Sequence, residues 1–179
     1  MSKKKGLADP SRLKPIDEDD KELLRVVIET PKGSRNKFAF DPQQHIFELK
    51  KVLPAGMTFP YDFGFVPSTL AEDGDPVDVL VLMDEPAFPG CVLSCRPVGV
   101  IEGEQKSKEG KERNDRILAV EKGAHSFAGV NTVEDLGKQF QRELEQFFVN
   151  YHKLEGSEYR VLATKGPDRA RKLIKDARQ

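Results

Sequence analysis

The spacing of the apolar residues changes once along this chain, close to Val133. Before that point, short segments rich in β-branched and aromatic residues alternate with turns that contain Pro and Gly, which is typical of strands. After it, apolar residues recur at i, i+3 and i+4, which predicts one face of a long amphipathic helix. Strands followed by helices indicate an α+β fold, with a strongly bent sheet or barrel backed by a helix. The residues of the predicted helix face are Val133, Leu136, Phe140, Leu144, Phe147, Phe148, Tyr151 and Leu154.

Local patterns predict the elements on either side of this change. The charged segment EGEQKSKEGKERND predicts a solvated hairpin loop. Thr132 with Asp135 predicts the N-terminal cap of the long helix, and Gly156 predicts its end. A second, shorter helix is predicted over PDRARKLIKDA, with Pro167 in its first turn. The predicted strands are ELLRVVIET, RNKFAFD, HIFELKKVL, VDVLVLM, CVLSCRPVGVI and RILAV.

Length and charge restrict the class of protein. The 179 residues are enough for one domain with its own core. Because the first segment is charged and contains Pro, we expect residues 1–20 to form a loose arm and residues 21–179 a single domain. The net charge of −1 gives no basic excess for nucleic acid. No apolar run approaches the ~20 residues of a membrane helix, and none follows the basic start as in a signal peptide, so we expect a cytoplasmic protein without membrane contact.

Cys91 and Cys95 are the only cysteines of the chain. In a strand their α-carbons would lie roughly 13 Å apart at ~3.3 Å per residue, whereas a disulfide tolerates less than ~7 Å. No other thiol and no pair of histidines stands at zinc spacing. We therefore expect two reduced thiols on one face of a strand.

Four carboxylates crowd the start of a predicted strand: Glu72, Asp73, Asp75 and Asp78. Carboxylates this close raise one another's pKa values unless a cation lies among them. An EF-hand does not fit, because Asp78 stands where the calcium loop requires glycine if Asp73 is its first position. Oxygen ligands without His or Cys suit Mg²⁺ or Mn²⁺. On these residues alone, a solvated acidic turn is the other interpretation.

The segment DGDPVDVLV resembles the signature of the family I soluble inorganic pyrophosphatases. The resemblance extends in family order over residues 23–156, through RVVIET, NKFAFD, FPYDFGFVPSTL, PGCVLSCRPVGVI, RILAV and FFVNYHKLEG. It implies an OB-like five-stranded closed β-barrel with helices packed on it and a hydrolytic site at the barrel mouth. It also implies a divergent bacterial-type member that forms a homohexamer.

The same resemblance implies hydrolysis of pyrophosphate to two orthophosphates by direct in-line attack of a metal-activated water. Mg²⁺ is the implied cofactor and Mn²⁺ its substitute, since such ions neutralise the substrate and lower the pKa of a shared water. Asp73 and Asp78 match metal ligands, and Asp75 matches the general base. Glu29 matches an acidic residue that acts through metal-bound water. The positions that match phosphate-binding residues are Lys37, Lys51, Arg116, Tyr151 and His152.

Several of these positions depart from the family pattern. Ala39 stands where the family has a glutamate, and Phe59 and Phe63 stand for two tyrosines, so hydroxyl donors are lost. Lys51 stands for an arginine and keeps the charge without the bidentate fork. His152 stands for a lysine. These changes put the number of metals and the affinity for substrate in question.

A further departure concerns the metal-binding aspartate before RILAV, which is Asn114 here and is followed by Asp115 and Arg116. Strand alternation places Asn114 and Arg116 on one face, so Asp115 serves the site only if the start of the strand is bulged. Either Asp115 completes the metal site, or Asn114 coordinates through its neutral oxygen and the site has one charge fewer. We favour Asp115, because a divalent ion between phosphates requires full carboxylates.

Two other functions stay open at this point. A related phosphohydrolase for another small phosphate ester or polyphosphate is motivated by the changed phosphate contacts. A non-catalytic OB-like module that binds a nucleotide or a protein partner is the second. Nucleic-acid binding would need aromatic residues interleaved with a basic groove, whereas the candidate face carries acidic residues.

Overall fold

The computed structural model describes residues 9–179, which form a mixed sheet, a separate hairpin and two α-helices. No helix in this part of the chain is long and apolar enough to cross a membrane. The α-helices are α1 (Gly137–Leu154) and α2 (Pro167–Ala177), and 3₁₀ turns cover Pro10–Arg12 and Val133–Leu136. The strands are β1 (Leu24–Thr30), β2 (Asn36–Asp41), β3 (Ile46–Val52), β4 (Asp62–Phe65), β5 (Asp78–Leu82), β6 (Val92–Ser107), β7 (Gly110–Arg113), β8 (Arg116–Glu121) and β9 (Glu158–Lys165).

The larger sheet has seven strands in the order β1-β4-β5-β8-β6-β7, with β9 paired to β6. β1 pairs with both β4 and β6, so the pairings of β1, β4, β5, β8 and β6 lead back to β1. β5 and β8 run parallel, and their neighbours in the sheet run antiparallel to them. β2 and β3 form the separate antiparallel hairpin. The α+β class predicted from the change in apolar spacing is confirmed.

The apolar run that follows the acidic turn is buried on both faces of the sheet. Leu80 of β5 packs in a cluster with Phe148 of α1, whereas its neighbour Val79 packs in a second cluster that includes α2. Successive side chains of a strand point to opposite faces, so a continuous apolar run fits a strand that is covered on both sides. Cys95 of β6 is buried in the second cluster and, like Cys91, is a free thiol, as predicted, but Cys91 precedes β6, so the two do not share one face of a strand.

Three strands were not predicted, namely β4, β7 and β9. The hairpin predicted over EGEQKSKEGKERND is confirmed, but its interpretation as a loop is wrong, because β6 continues to Ser107 and pairs with β7. β9 pairs along β6 from Val100 to Lys106 and comes from a distant part of the chain, so no local pattern of charge could reveal it. β4 is short and passes so close to β1 that a Cβ on Gly64 would lie 2.0 Å from the carbonyl oxygen of Val27.

The predicted long helix begins later than expected. Val133–Leu136 form a 3₁₀ turn, and the α-helix starts at Gly137. The predicted contact of Thr132 with Asp135 is present, since the Asp135 carboxylate accepts a hydrogen bond from the backbone N–H of Thr132 at 2.9 Å, but it caps the 3₁₀ turn and not the α-helix. The second helix begins at Pro167, as predicted.

The described part of the expected loose arm, residues 9–20, contacts the rest of the molecule. The backbone N–H of Ser68 donates to the carbonyl oxygen of Ser11 at 2.9 Å. Further along, the hydroxyl of Ser94 donates to the carboxylate of Asp17. Residues 1–8 of the arm lie outside the described residues.

Candidate active site

A cleft of about 730 Å³ lies between the acidic turn, the β2–β3 hairpin, the start of β8 and the C-terminal half of α1. These elements come from distant parts of the sequence and bring most of the predicted site residues together. Lys51 and Asp115 do not line the cleft, although Nζ of Lys51 lies 4.6 Å from the ring centre of Tyr151, which does. The predicted residues that line the cleft are Glu29, Lys37, Asp73, Asp75, Asp78, Asn114, Arg116, Tyr151 and His152.

The acidic turn presents three carboxylates to the cleft. Gly74 has a φ of 86°, a conformation that L side chains rarely adopt, so glycine permits this tight turn. The backbone N–H of Asp75 donates to Oδ1 of Asp73 at 3.1 Å, which fixes the Asp73 side chain, while the Asp75 side chain is exposed. Asp78 is the first residue of β5 and stands in register with Arg116 of β8. The sheet therefore fixes the position of Asp78.

The carboxylates of the cleft are partly withdrawn from water. Burial, with a smaller contribution from neighbouring carboxylates, raises the pKa of Asp78 to about 6 and that of Glu29 to about 7. Burial also raises the pKa of Asp73. The guanidinium of Arg116 acts in the opposite direction on Asp78, and the N–H of Phe40, which donates to Glu29 at 2.8 Å, does so on Glu29. A cation in the cleft would stabilise all three charged forms.

The available ligands suit a hard divalent ion, since they are carboxylate oxygens and the amide oxygen of Asn114. Among residues 9–179, no three of the His, Cys, Asp and Glu side chains are arranged around one point as a metal ion would require. Mg²⁺ keeps several of its waters and needs only one or two protein carboxylates, so this arrangement does not exclude it. The residues present fit a magnesium ion that is held partly through water. Its charge would reduce the repulsion between the carboxylates of Asp73 and Asp78.

The β2–β3 hairpin supplies the positive side of the cleft. Its register is interrupted by a bulge, because Lys37 pairs with Lys51 while the next residue, Phe38, pairs with Leu49. Lys50 is the extra residue; it lines the cleft, and its ammonium forms an ion pair with Glu48. A bulge redirects side chains, so strict alternation, which turns Lys50 and Lys51 to opposite faces, does not hold here. Lys50 was missed because nothing in the sequence marks the bulge.

The ring of Tyr151, on α1, lies close to two lysines of the β2–β3 hairpin. The Nζ atoms of Lys51 and Lys37 lie 4.6 and 5.5 Å from the centre of its ring, and Lys51 also forms an ion pair with Glu155. Within the described part of the chain, the buried hydroxyl of Tyr151 has no hydrogen-bond partner. Buried hydroxyls are normally paired, so an oxygen of a bound ligand would satisfy this one.

Phe59 and Phe63 form an apolar wall where the resemblance implies tyrosines. Both are buried and line the cleft, and the ring of Phe59 lies 5.6 Å from that of Phe63 and 5.8 Å from that of Tyr151. Ala39 also lines the cleft and adds no charge. The wall packs against the Tyr151 ring without offering a hydroxyl of its own.

The start of β8 places Asn114, and not Asp115, in the cleft. Nδ2 of Asn114 donates to Oε1 of Gln105 at 2.8 Å. Asp115 faces the other side of the strand, where its carboxylate accepts hydrogen bonds from the N–H of Gly103 at 3.0 Å and from Arg113 at 2.9 Å. The register of β8 with β5 is regular from its first residue, so no bulge turns Asp115 inward. This placement corrects the preference for Asp115 as the residue that completes a metal site.

Arg116 and His152 lie at the back of the cleft and contact each other. Each is only 3% exposed, and Nη2 of Arg116 lies 2.9 Å from Nε2 of His152. Burial, and then the charge of Arg116, lowers the pKa of His152 to about 3, so its imidazole is neutral. His152 was predicted as a phosphate-binding position that stands where the family has a lysine, and in the structure it lines the cleft without a positive charge and contacts Arg116.

Two further residues of the cleft, Gln105 and Glu112, were missed. They pair with each other across the β6–β7 hairpin and line the cleft. Glu112 lies close enough to Asp73 to raise the pKa of that carboxyl further. Both belong to the segment that was interpreted as a solvated hairpin loop, and no motif in that segment marks them as residues of a site.

Comparison with known proteins agrees with this site. A family model described as inorganic pyrophosphatase matches residues 26–179. The inorganic pyrophosphatase of Synechocystis sp. is 39% identical over 86% of this chain and 89% of its own length, and that of Methanosarcina acetivorans is 36% identical over 91% and 95%. The crystal structure of inorganic pyrophosphatase from Thermus thermophilus superposes with a TM-score of 0.86 at 32% identity, covering 95% of this chain and 97% of that one. The chain belongs to the inorganic pyrophosphatase family, whose members are hydrolases.

Proposed function

We propose that the protein hydrolyses inorganic pyrophosphate to two orthophosphates with Mg²⁺ as cofactor. One observation carries the proposal, namely a single cleft in which repelling carboxylates face lysines and an unpaired tyrosine hydroxyl. Pyrophosphate is a compact polyanion that needs cations around it before a nucleophile can approach. The names of the relatives and of the solved structures support the same substrate.

Asp73 and Asp78 would hold magnesium directly, Asn114 through its amide oxygen, and Glu29 through water. When bound, magnesium supplies charge neutralisation for phosphate and makes water more acidic. Mn²⁺, which accepts the same oxygen ligands, would substitute for it. The raised pKa values of Asp78 and Glu29 support these positions, because both carboxyls gain most from a neighbouring cation.

The remaining residues of the cleft would bind and orient the substrate. Lys37, Lys50 and the hydroxyl of Tyr151 donate to phosphate oxygens, and Lys51 adds positive charge at the edge. Asp75, which is exposed at the mouth of the cleft, accepts the proton of the attacking water. The water attacks phosphorus in line with the departing phosphate, without a phosphoenzyme intermediate.

The finer features of the family complete the proposal. The pairing of β1 with both β4 and β6 supports a closed OB-like barrel of five strands. We propose a homohexamer in the cytoplasm, as the family resemblance implies. Light scattering tests the assembly, since a mass of one or two chains would contradict a hexamer.

Phosphate release from pyrophosphate, tripolyphosphate and ATP, with Mg²⁺ or with EDTA, tests the function. We expect release from pyrophosphate alone and only with Mg²⁺. A double variant with Asp73→Asn and Asp78→Asn, purified in the same way, excludes a contaminating pyrophosphatase. Preference for tripolyphosphate or ATP would favour the related phosphohydrolase, and no release from any substrate would favour a non-catalytic binding module.

A further inference from the structure

Arg116 is enclosed in a cage at the back of the cleft. Its guanidinium carbon lies 4.2 Å from the ring centre of Phe148 and 4.7 Å from that of Tyr159. Nη1 donates to the carbonyl oxygen of Asn114 at 3.2 Å, and Nη2 lies 2.9 Å from Nε2 of His152. A buried cation is costly unless hydrogen bonds hold it, so each of these acceptors matters.

The contacts define the protonation of His152. A guanidinium can only donate, so Nε2 of His152 must be the acceptor and the ring proton must lie on Nδ1. Nδ1 lies 3.2 Å from Oγ of Ser157, and that hydroxyl donates in turn to the carbonyl oxygen of His152 at 3.2 Å. The ring of Tyr159 stacks on the imidazole, with centres 5.0 Å apart and planes at 15°. Nη2 of Arg116, Nδ1 of His152 and Oγ of Ser157 all have an acceptor only if the imidazole is neutral, while Nε of Arg116 has no partner within the described residues.

A cation at position 152 is incompatible with this arrangement. A lysine or an imidazolium would direct a donor at Nη2 of Arg116, and two buried positive charges would face each other at hydrogen-bond distance. The burial of His152, which lowers its pKa to about 3, acts in the same direction. A neutral His152 that accepts a hydrogen bond from Arg116 therefore does not attract phosphate as a cation would.

We propose that His152 is a positioning residue, whose neutral Nε2 holds Arg116 in place behind the cleft. In this position Nε of Arg116 lies 3.9 Å from Oδ2 of Asp78, and the hydroxyl of Tyr159 fixes the start of β8 by donating to the carbonyl oxygen of Asn114 at 2.9 Å. The inference rests on the proposed function for its catalytic consequence. The arrangement of the cage itself does not depend on it.

Three variants of His152 separate this role from phosphate binding. His152→Gln keeps an acceptor at the position of Nε2 and should retain most of kcat/KM. His152→Leu removes the acceptor and should lower kcat/KM by about 10–100-fold, mainly through kcat, as loss of an outer-shell partner does. His152→Lys should lose at least as much. The matched control is His125→Leu at an exposed histidine, which should behave as the wild type.

A phosphate-binding role predicts the opposite order. His152→Lys would then lower the KM for pyrophosphate below that of the wild type, and His152→Gln would be as impaired as His152→Leu. Either result overturns the proposal. Thermal unfolding shows which variants are folded, and if His152→Leu is not, the comparison of His152→Gln with His152→Lys decides by itself.

Nuclear magnetic resonance of the wild-type imidazole nitrogens gives a readout that does not require activity. The chain has three histidines, so single variants assign the signals. We expect the His152 signals of the Nδ1–H tautomer, and signals of the Nε2–H tautomer or of an imidazolium near neutral pH would overturn the inference. If the tautomer is as expected and the wild type does not hydrolyse pyrophosphate, the proposed function fails and the cage stands. If the wild type is active and His152→Lys has a lower KM for pyrophosphate, the proposed function stands and the positioning role of His152 fails.

Discussion

Replacement of Glu29 by Gln should stabilise the metal-free protein at pH 8 and have little effect at pH 4.5. Burial raises the pKa of Glu29 to about 7 from the usual 4.5. Ionisation of this carboxyl therefore costs more free energy in the folded wild type than in the unfolded chain. The amide oxygen of Gln can still accept the hydrogen bond that the N–H of Phe40 donates to Glu29 at 2.8 Å, so the variant resembles the protonated wild type.

The size and sign of the effect follow from linkage. Between the unfolded pKa and the raised folded pKa, the folded state of the wild type binds more protons, so its stability falls as the pH rises through this range. A pKa raised from 4.5 to about 7 corresponds to about 3 kcal/mol, all of which is lost by pH 8. Groups that do not interact with Glu29, such as His152, change the stability of the wild type and the variant equally, whereas the repulsion from Asp78 and Asp75 is part of the measured difference. The difference between the two proteins therefore isolates Glu29.

Urea denaturation in EDTA at the two pH values measures this difference. Glu29→Gln should gain about 3 kcal/mol in free energy of unfolding at pH 8 relative to its effect at pH 4.5. Glu109→Gln, at an exposed carboxylate, is the matched control and should show no such difference. Saturating Mg²⁺ at pH 8 should reduce the advantage, because it favours the ionised carboxylates of the wild type. An equal effect of Glu29→Gln at both pH values would refute the argument from burial.

Other predictions test the remaining parts of the site. Asp75→Asn should keep the fold and lower turnover by about 10²–10⁴-fold in the phosphate-release assay, and near-normal turnover would remove Asp75 as the base. Asn114→Asp should lower the Mg²⁺ concentration for half-maximal activity. Asp115→Ala should leave that concentration unchanged and lower the free energy of unfolding by about 1–3 kcal/mol, since the N–H of Gly103 loses its acceptor and Arg113 loses one of its two carboxylate partners; a large change in magnesium requirement on Asp115→Ala would restore Asp115 to the metal site. Chelation should abolish hydrolysis, and Mg²⁺ should restore it better than Ca²⁺, whose longer and looser coordination places water less well. Hydrolysis that survives complete chelation would contradict the mechanism.

The parts of the fold that could be predicted depend on neighbours in sequence. The change of apolar spacing separates strands from helices because side-chain direction repeats every two residues in a strand and every 3.6 in a helix. The acidic turn was found for the same reason, since Asp73, Gly74 and Asp78 act within one turn and one strand start. β4 and β9 were missed because distant partners form them. A Cβ at position 64 is excluded because the backbone of Val27, which is distant in the sequence, occupies the space that the Cβ would need.

The charge of the site shows why matching positions alone do not describe it. At matched positions the cleft has lost carboxylates, at Ala39 and Asn114, and the side chain of His152 is neutral. Two charged residues that the resemblance did not indicate also line the cleft. Glu112 comes from the β6–β7 hairpin, and Lys50 comes from the bulge of β3. Neither could be inferred from spacing, because one depends on the β6–β7 pairing, which no apolar alternation marks, and the other on an interrupted register. Electrostatic energy depends on the distance between charges and on their burial, so the charge of this site must be counted in space and not along the sequence.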